Sequence, residues 1–128
     1  MGVRKVEELI AWQLAVSFRE AVAELLRHRV GPRQDFRYES QLRDALASTE
    51  SNIVEGFHRY SPAQFAQFLS YARASHAEAE ARLKQGIALR YVDAAAAQSA
   101  LVLAKRCALA ILRLLQSQRR ERRPSKDA

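Results

Sequence analysis

The chain has 128 residues, enough for one domain that buries roughly two-thirds of its unfolded surface without staples. Hydrophobic residues make up 48%, with only 4 Gly and 3 Pro, which argues against disorder, and the lone Cys107 excludes an internal disulfide. A net charge of +7 and an isoelectric point of about 10.2 point to an anionic partner: nucleic acid, an acidic protein surface or anionic lipid.

Alanine is abundant and β-branched residues are few, which favours helix. The first helix is expected from Val6 to Arg29, with a stripe of Ile10, Leu14, Phe18, Val22 and Leu25. Leu9, Trp12, Val16 and Leu26 widen that stripe, and the extra width suits either the core or an intersubunit contact. Glu7 and Glu8 fall in its first turn and Arg27, His28 and Arg29 in its last, matching the helix dipole. Gly31-Pro32 is expected to stop it.

The second helix is expected from Phe36 or Tyr38 to about Gly56. Its apolar stripe reads Tyr38, Leu42, Ala45, Leu46, Thr49, Ile53 and Phe57, with Ser48, Asn52 and Glu55 as a polar stripe beside it. The third helix has the clearest start: Ser61 as N-cap, Pro62 in the first helical position and Gln64 at the third. Its stripe reads Phe65, Phe68, Leu69, Ala72, Ser75, Ala79, Leu83 and Ile87, and small residues in its middle permit close helix approach. The fourth is expected after Tyr91-Val92, capped by Asp93. Its stripe is Ala97, Leu101, Ala104, Ala108, Ile111 and Leu115, flanked by Leu103, Cys107 and Leu114. The resulting fold is all-α, an antiparallel up-down-up-down four-helix bundle over residues 1–118, with RRERRPSKDA as a disordered basic tail over 119–128. No apolar stretch approaches the roughly 18 residues that a membrane span needs. The segment MGVRKVEELIAW lacks the apolar run of a signal peptide, so a soluble cytoplasmic protein is expected.

Residues 52–65, NIVEGFHRYSPAQF, gather polar groups between two apolar helices. A catalytic carboxylate at Glu55 is one reading. The favoured one is structural: Asn52 and Glu55 bond the open amides that begin the third helix, and Gly56 ends the second in a left-handed conformation. Arg59 and Tyr60 are expected at the surface, able to touch a phosphate or a neighbouring subunit. Glu55-x-x-His58 matches one unit of a di-iron bundle, but such a site needs two units and two further glutamates. No cofactor or metal is expected, and no nucleotide-binding glycine loop is present. Cys107 reads as a core residue.

AWQLA in the first helix, then QLRDA, Ser48, N-I-x-E-G-F at 52–57, Arg59, Ser61, FL at 68–69 and a late Leu89-x-Tyr91 turn carry a resemblance. Over about residues 6–115 the chain resembles the four-helix-bundle proteins of the 23S rRNA intervening-sequence family. That resemblance implies a small bacterial bundle with no established enzymatic activity. A relative is the accessory protein of diversity-generating retroelements, which resembles a homopentameric, positively charged barrel binding nucleic acid and a reverse transcriptase. The chain departs from the family pattern at Asp44, Gln64, Ala74-Ser75 and Arg90, the last standing where a Gly usually ends the third helix.

Basic residues concentrate late: Lys105, Arg106, Arg113, Arg119, Arg120, Arg122 and Arg123. Arg106 and Arg113 are seven apart and share a helical face, beside Lys105. Such a ribbon suits RNA or DNA backbones without sequence readout. The expected function is therefore a non-enzymatic, homo-oligomeric nucleic-acid binder with corner residues Asn52, Glu55, Gly56, Arg59 and Ser61 structural. Alternatives are an adaptor docking an acidic protein and a metal-dependent bundle enzyme.

Overall fold

A short 3-10 turn, Val6–Glu8, precedes four helices: α1 (Ile10–Arg27), α2 (Phe36–Phe57), α3 (Pro62–Ala88) and α4 (Gln98–Arg122). The computed structural model describes residues 2–28 and 35–122, residue 122 by its backbone alone. Arg29, the Gly31-Pro32 stop and Arg123 lie outside the described residues. No strand occurs among those described, and none of their helices is long and apolar enough to cross a membrane.

The first helix starts later than its pattern predicts. Leu9 is extended (φ −74, ψ 125) and buried in the core, so the chain bends there and Glu7 and Glu8 stand ahead of α1 rather than in its first turn. Gln13 ties the bend down, donating from Nε2 to the Glu7 carbonyl over 2.8 Å. The buried face of α1 is Ala11, Ala15, Phe18, Val22 and Leu26, rotated from the expected stripe; Ile10 is 62% exposed. Two overlapping apolar stripes were available, and packing selects the one whose alanines admit a close neighbour.

The α2 stripe from Tyr38 to Ile53 is buried as its spacing predicts. Asp35 caps that helix, its Oδ1 accepting from the Tyr38 amide over 3.0 Å, and its Oδ2 accepts from the Tyr91 hydroxyl over 3.2 Å. In α3, Ser61 Oγ accepts from the Gln64 amide over 3.1 Å, with Pro62 at the helix start. The α3 core face is Ala66, Leu69, Ala72, His76, Ala79, Leu83 and Gly86. Phe65, Phe68, Ser75 and Ile87, expected in that stripe, lie half-buried at its edges. Asp93, expected to cap α4, instead caps a turn over 94–97, its Oδ2 accepting from the Ala96 amide at 2.8 Å, and α4 itself starts only at Gln98.

The α3–α4 turn closes around Arg90, the only non-glycine residue with positive φ (63°) among those described. Its amide donates to the Ile87 carbonyl over 3.1 Å, and the Tyr91 amide reaches back to Gly86 over 2.8 Å. These paired bonds satisfy the last carbonyls of α3 in the way a glycine ending normally does. The third helix thus closes as a glycine-ended helix does, with Arg90 in the left-handed position.

Four pairings build the bundle: α2 on α3, α3 on α4, α1 on α4 and, least closely packed, α1 on α2. Tyr38 at the start of α2 donates to the Arg82 carbonyl late in α3 over 2.6 Å, while Phe57 at the end of α2 meets Phe65 early in α3. The start of α1 likewise shares a groove with Ala110, Arg113 and Leu114 late in α4. Such start-to-end pairings are those of an antiparallel, up-down-up-down order.

The core divides into two apolar clusters. One holds Phe18, Leu42, Leu46, Leu83 and Ala104; the other Ile53, Leu69, Cys107, Ile111 and Leu115. Thr49 and His76, the buried polar residues, fall between them along α2 and α3. Thr49 Oγ1 donates to the Ala45 carbonyl over 2.9 Å, and His76 Nε2 lies 2.7 Å from the Ala104 carbonyl. Ser48 and Ser75 join hydroxyls at 2.7 Å at the same level. A buried polar layer of this kind favours one register over a slipped one, because slippage would leave these groups unpaired.

Candidate nucleic-acid interface

Charge is sorted by helix. On α2, Arg37 and Arg43 stand against Glu39, Asp44, Glu50 and Glu55; on α4, Lys105, Arg106, Arg113, Arg119, Arg120 and Arg122 stand against Glu121 alone. In the rest of the bundle the basic residues mostly find acids. Arg27 pairs with Glu24 at 3.1 Å, Arg59 with Glu55 at 3.2 Å, Lys84 with Glu80 at 3.3 Å, and Arg19 reaches from α1 to Glu50 on α2. Lys105, Arg106, Arg113, Arg119 and Arg120 are exposed and have no ion-pair partner among the described residues. Unpaired cations keep their full field for an external anion, whereas a cation in an ion pair must first give up its partner.

The basic run is longer and stiffer than its composition suggests. The expected disordered tail from residue 119 is, as far as Arg122, the last turn of α4. Arg, Gln and Glu are good helix formers, and cations are favoured at a helix C-terminus, so nothing in QSQRRER ends the helix. Arg119 and Arg120 therefore sit on a rigid rod. Arg119 lines a polar groove of about 310 Å3 with Ala63, Gln64, Gln67 and Ser70, beside the start of α3. That helix start adds amide dipoles of the same sign.

The α2–α3 corner holds the remaining candidates, with roles that differ from those expected. Asn52 Nδ2 donates to the carbonyl and hydroxyl of Ser48, at 2.8 and 3.2 Å, within its own helix. Glu55 is exposed and takes Arg59. Capping of α3 falls to Ser61, so Asn52 and Glu55 do not bridge the corner; four-residue spacing made the in-helix partners closer than the amides across the turn. Gly56 is helical, not left-handed. Its reason is closeness: a Cβ there would lie 2.8 Å from Phe68 Cβ and 2.9 Å from Phe65 Cδ1. Arg59 also lies over the Phe68 ring, 4.8 Å from its centroid, which holds it on the corner rather than in solvent. Tyr60 is fully exposed.

Reactive groups are placed as core and corner residues. Cys107 is fully buried, and burial, with the Glu50 carboxylate adding to it, pushes its thiol up to about 12. His58 Nδ1 lies 2.9 Å from the Val54 carbonyl. Among the described residues no group of three His, Cys, Asp or Glu side chains is placed to hold a metal ion.

Over residues 7–113 the sequence matches the family model described as 23S rRNA-intervening sequence protein. The chain belongs to that family. No curated protein matches it. A crystal structure from Bacteroides thetaiotaomicron VPI-5482, described as a protein with unknown function from the S23 ribosomal protein family, superposes with a TM-score of 0.74. At 19% identity, covering 84% of this chain and 99% of that one, it establishes the shared bundle and no more. The matched stretch ends at Arg113, so the Arg119–Arg122 turn of this intervening-sequence protein lies beyond what the family model describes.

Proposed function

We propose that this chain is a non-enzymatic bundle protein that binds nucleic-acid backbones through α4 and works as a homo-oligomer, a pentamer by analogy with the family. The observation that carries the reading is the row of exposed, unpaired cations from Lys105 to Arg120 on one rigid helix. Contacts of that type go to phosphates and are blind to sequence. The family's link to intervening sequences of 23S rRNA makes RNA the first ligand to test, and the resemblance to the accessory protein of diversity-generating retroelements makes a reverse transcriptase the first protein partner to test.

The test is a salt series of fluorescence anisotropy with mixed-sequence single-stranded RNA and duplex DNA. Affinity should fall steeply with salt, and Arg119→Ala/Arg120→Ala should lower the log–log slope by about 1.5 to 2, the loss of two phosphate contacts. Salt-independent binding, or no binding at low salt, refutes the proposal.

A further inference from the structure

Holding a base, as opposed to a phosphate, needs an aromatic face, and α4 contains no aromatic residue. The fold brings one to its basic end from α3. Gln67 lines the groove that holds Arg119, and the same side chain donates from Nε2 to the Tyr71 hydroxyl over 2.9 Å. Tyr71 packs T-shaped against Phe68, ring centroids 5.7 Å apart, and Arg59 lies over the Phe68 ring. An unbroken line of contacts thus crosses the start of α3, from Arg119 to the α2–α3 corner. Held at its hydroxyl and against Phe68, Tyr71 is still 48% exposed.

Arg119 is the one charged residue of that groove; Gln64, Gln67 and Ser70 supply neutral polar groups, and no carboxylate lines it. Glu121, two residues further on, is rotated about 200° around α4. Beyond Phe68, Glu55 is already paired to Arg59, so the corner end of the line adds no free charge of either sign. Core packing does not account for Tyr71, because the buried face of α3 here is Leu69, Ala72 and His76. Phosphate binding accounts for Arg119 and leaves unexplained a half-exposed ring fixed beside it.

We infer that this surface takes a single-stranded segment of nucleic acid, with a phosphate at Arg119 and the adjoining unpaired base stacked on Tyr71. In a duplex each base face is covered by its neighbours, so only an unpaired base can offer one to the ring. Every base has such a face, so stacking selects strandedness without reading sequence. The ring is held in place before a strand arrives, so little freedom is lost on binding. This inference rests on the nucleic-acid reading and names the form of nucleic acid that the basic end of α4 takes.

The test is fluorescence anisotropy of the full chain with three DNA probes: a mixed-sequence single strand, an abasic strand with the same phosphates, and a long duplex. The wild type should hold the base-bearing strand at least about 5-fold more tightly than the abasic one. Tyr71→Ala should abolish that margin and leave abasic and duplex affinities unchanged. Tyr71→Phe keeps the ring and should keep most of the margin. Arg119→Ala should weaken binding of all three probes and lower each salt slope by about 1. Tyr71 is exposed, so circular dichroism and melting of its variants should match the wild type, and the wild-type comparison of the two strands needs no variant. Equal binding of base-bearing and abasic strands overturns the stacking and leaves the nucleic-acid reading intact. So does a Tyr71→Ala variant that loses nothing, or that loses as much on the duplex. An unchanged slope in Arg119→Ala overturns the phosphate seat and with it the site. A wild type that binds none of the probes at low salt overturns both readings.

Discussion

Arg90 is the residue where the chain departs most clearly from what its backbone asks for. At φ 63° its Cβ crowds the neighbouring carbonyl, a cost of roughly 1–2 kcal/mol for a side chain with a Cβ. The hydrogen bonds at this turn are all main-chain, so none of them depends on the arginine side chain. Arg90→Gly removes the crowding but frees the unfolded chain, which costs about 0.5–1 kcal/mol. The net gain is about 0.5–1 kcal/mol, or roughly 2–5 °C in the melting temperature of a domain this size. Thermal and urea melts monitored at 222 nm measure it, with Arg90→Ala as the control. Alanine deletes the charge and the long side chain yet keeps the Cβ, so it should gain nothing. Equal stabilisation by alanine and glycine would mean that charge, not backbone conformation, sets the effect, and a glycine variant less stable than the wild type would refute the argument outright.

The corner offers a paired prediction. Glu55→Ala breaks an exposed ion pair and should change stability by no more than about 0.5 kcal/mol. The neighbouring Gly56→Ala forces α2 away from Phe65 and Phe68 and should cost about 1–2 kcal/mol, overpacking outweighing alanine's better helix propensity; the reverse order in urea melts would restore a capping role for Glu55. His76 predicts a pH dependence. It is 2% exposed, its Nε2 faces the Ala104 carbonyl, its Nδ1 has no partner, and Phe18 packs on its ring edge. Burial pulls its pKa below the ordinary 6.5, only partly opposed by the Ala104 bond and the Glu80 charge. The unfolded chain therefore takes up a proton that the folded one refuses. Stability from this residue is whole above about pH 6.5 and is lost as pH falls below it, by up to about 1.4 kcal/mol per pH unit. His76→Gln should flatten stability between pH 6.5 and 5 relative to the wild type, and parallel curves would show that His76 does not titrate there.

The helices were legible because their signals are local. Ser61-Pro62 fixes where α3 starts, and the period of Tyr38, Leu42, Leu46, Thr49 and Ile53 fixes which side of α2 is buried. What escaped the sequence depends on partners distant along the chain. Period alone offered α1 two faces, and only the neighbouring helices choose between Ala11-Ala15 and Ile10-Leu14. Gly56 had a local explanation, the left-handed helix end, that is correct chemistry in the wrong place: the helix ends that way at Arg90, where no glycine marks it. Gly86 has the same kind of reason as Gly56, since a Cβ there would collide with the Tyr38 hydroxyl and lie 2.8 Å from its Cζ. That phenol, pushed up to about 12 chiefly by burial, is a neutral donor to α3 at any working pH.

The candidate site was half legible for a related reason. A count of charges along the chain finds the basic α4, because it needs only composition. It does not find which cations are already spent. Arg19, Arg27, Arg59 and Lys84 look like Arg106 and Arg113 in the sequence, yet each faces a carboxylate, one of them on another helix. Most of these pairs sit three or four residues apart, so a search for Glu at that spacing before each Arg or Lys would have removed them and left α4 standing out. Arg19–Glu50 has no such signature. It exists because α1 and α2 leave a groove between them, across which Arg19 reaches Glu50. That gap in packing, set by residues distant along the chain, decides which arginine is neutralised inside the protein and which cations are left for an external anion.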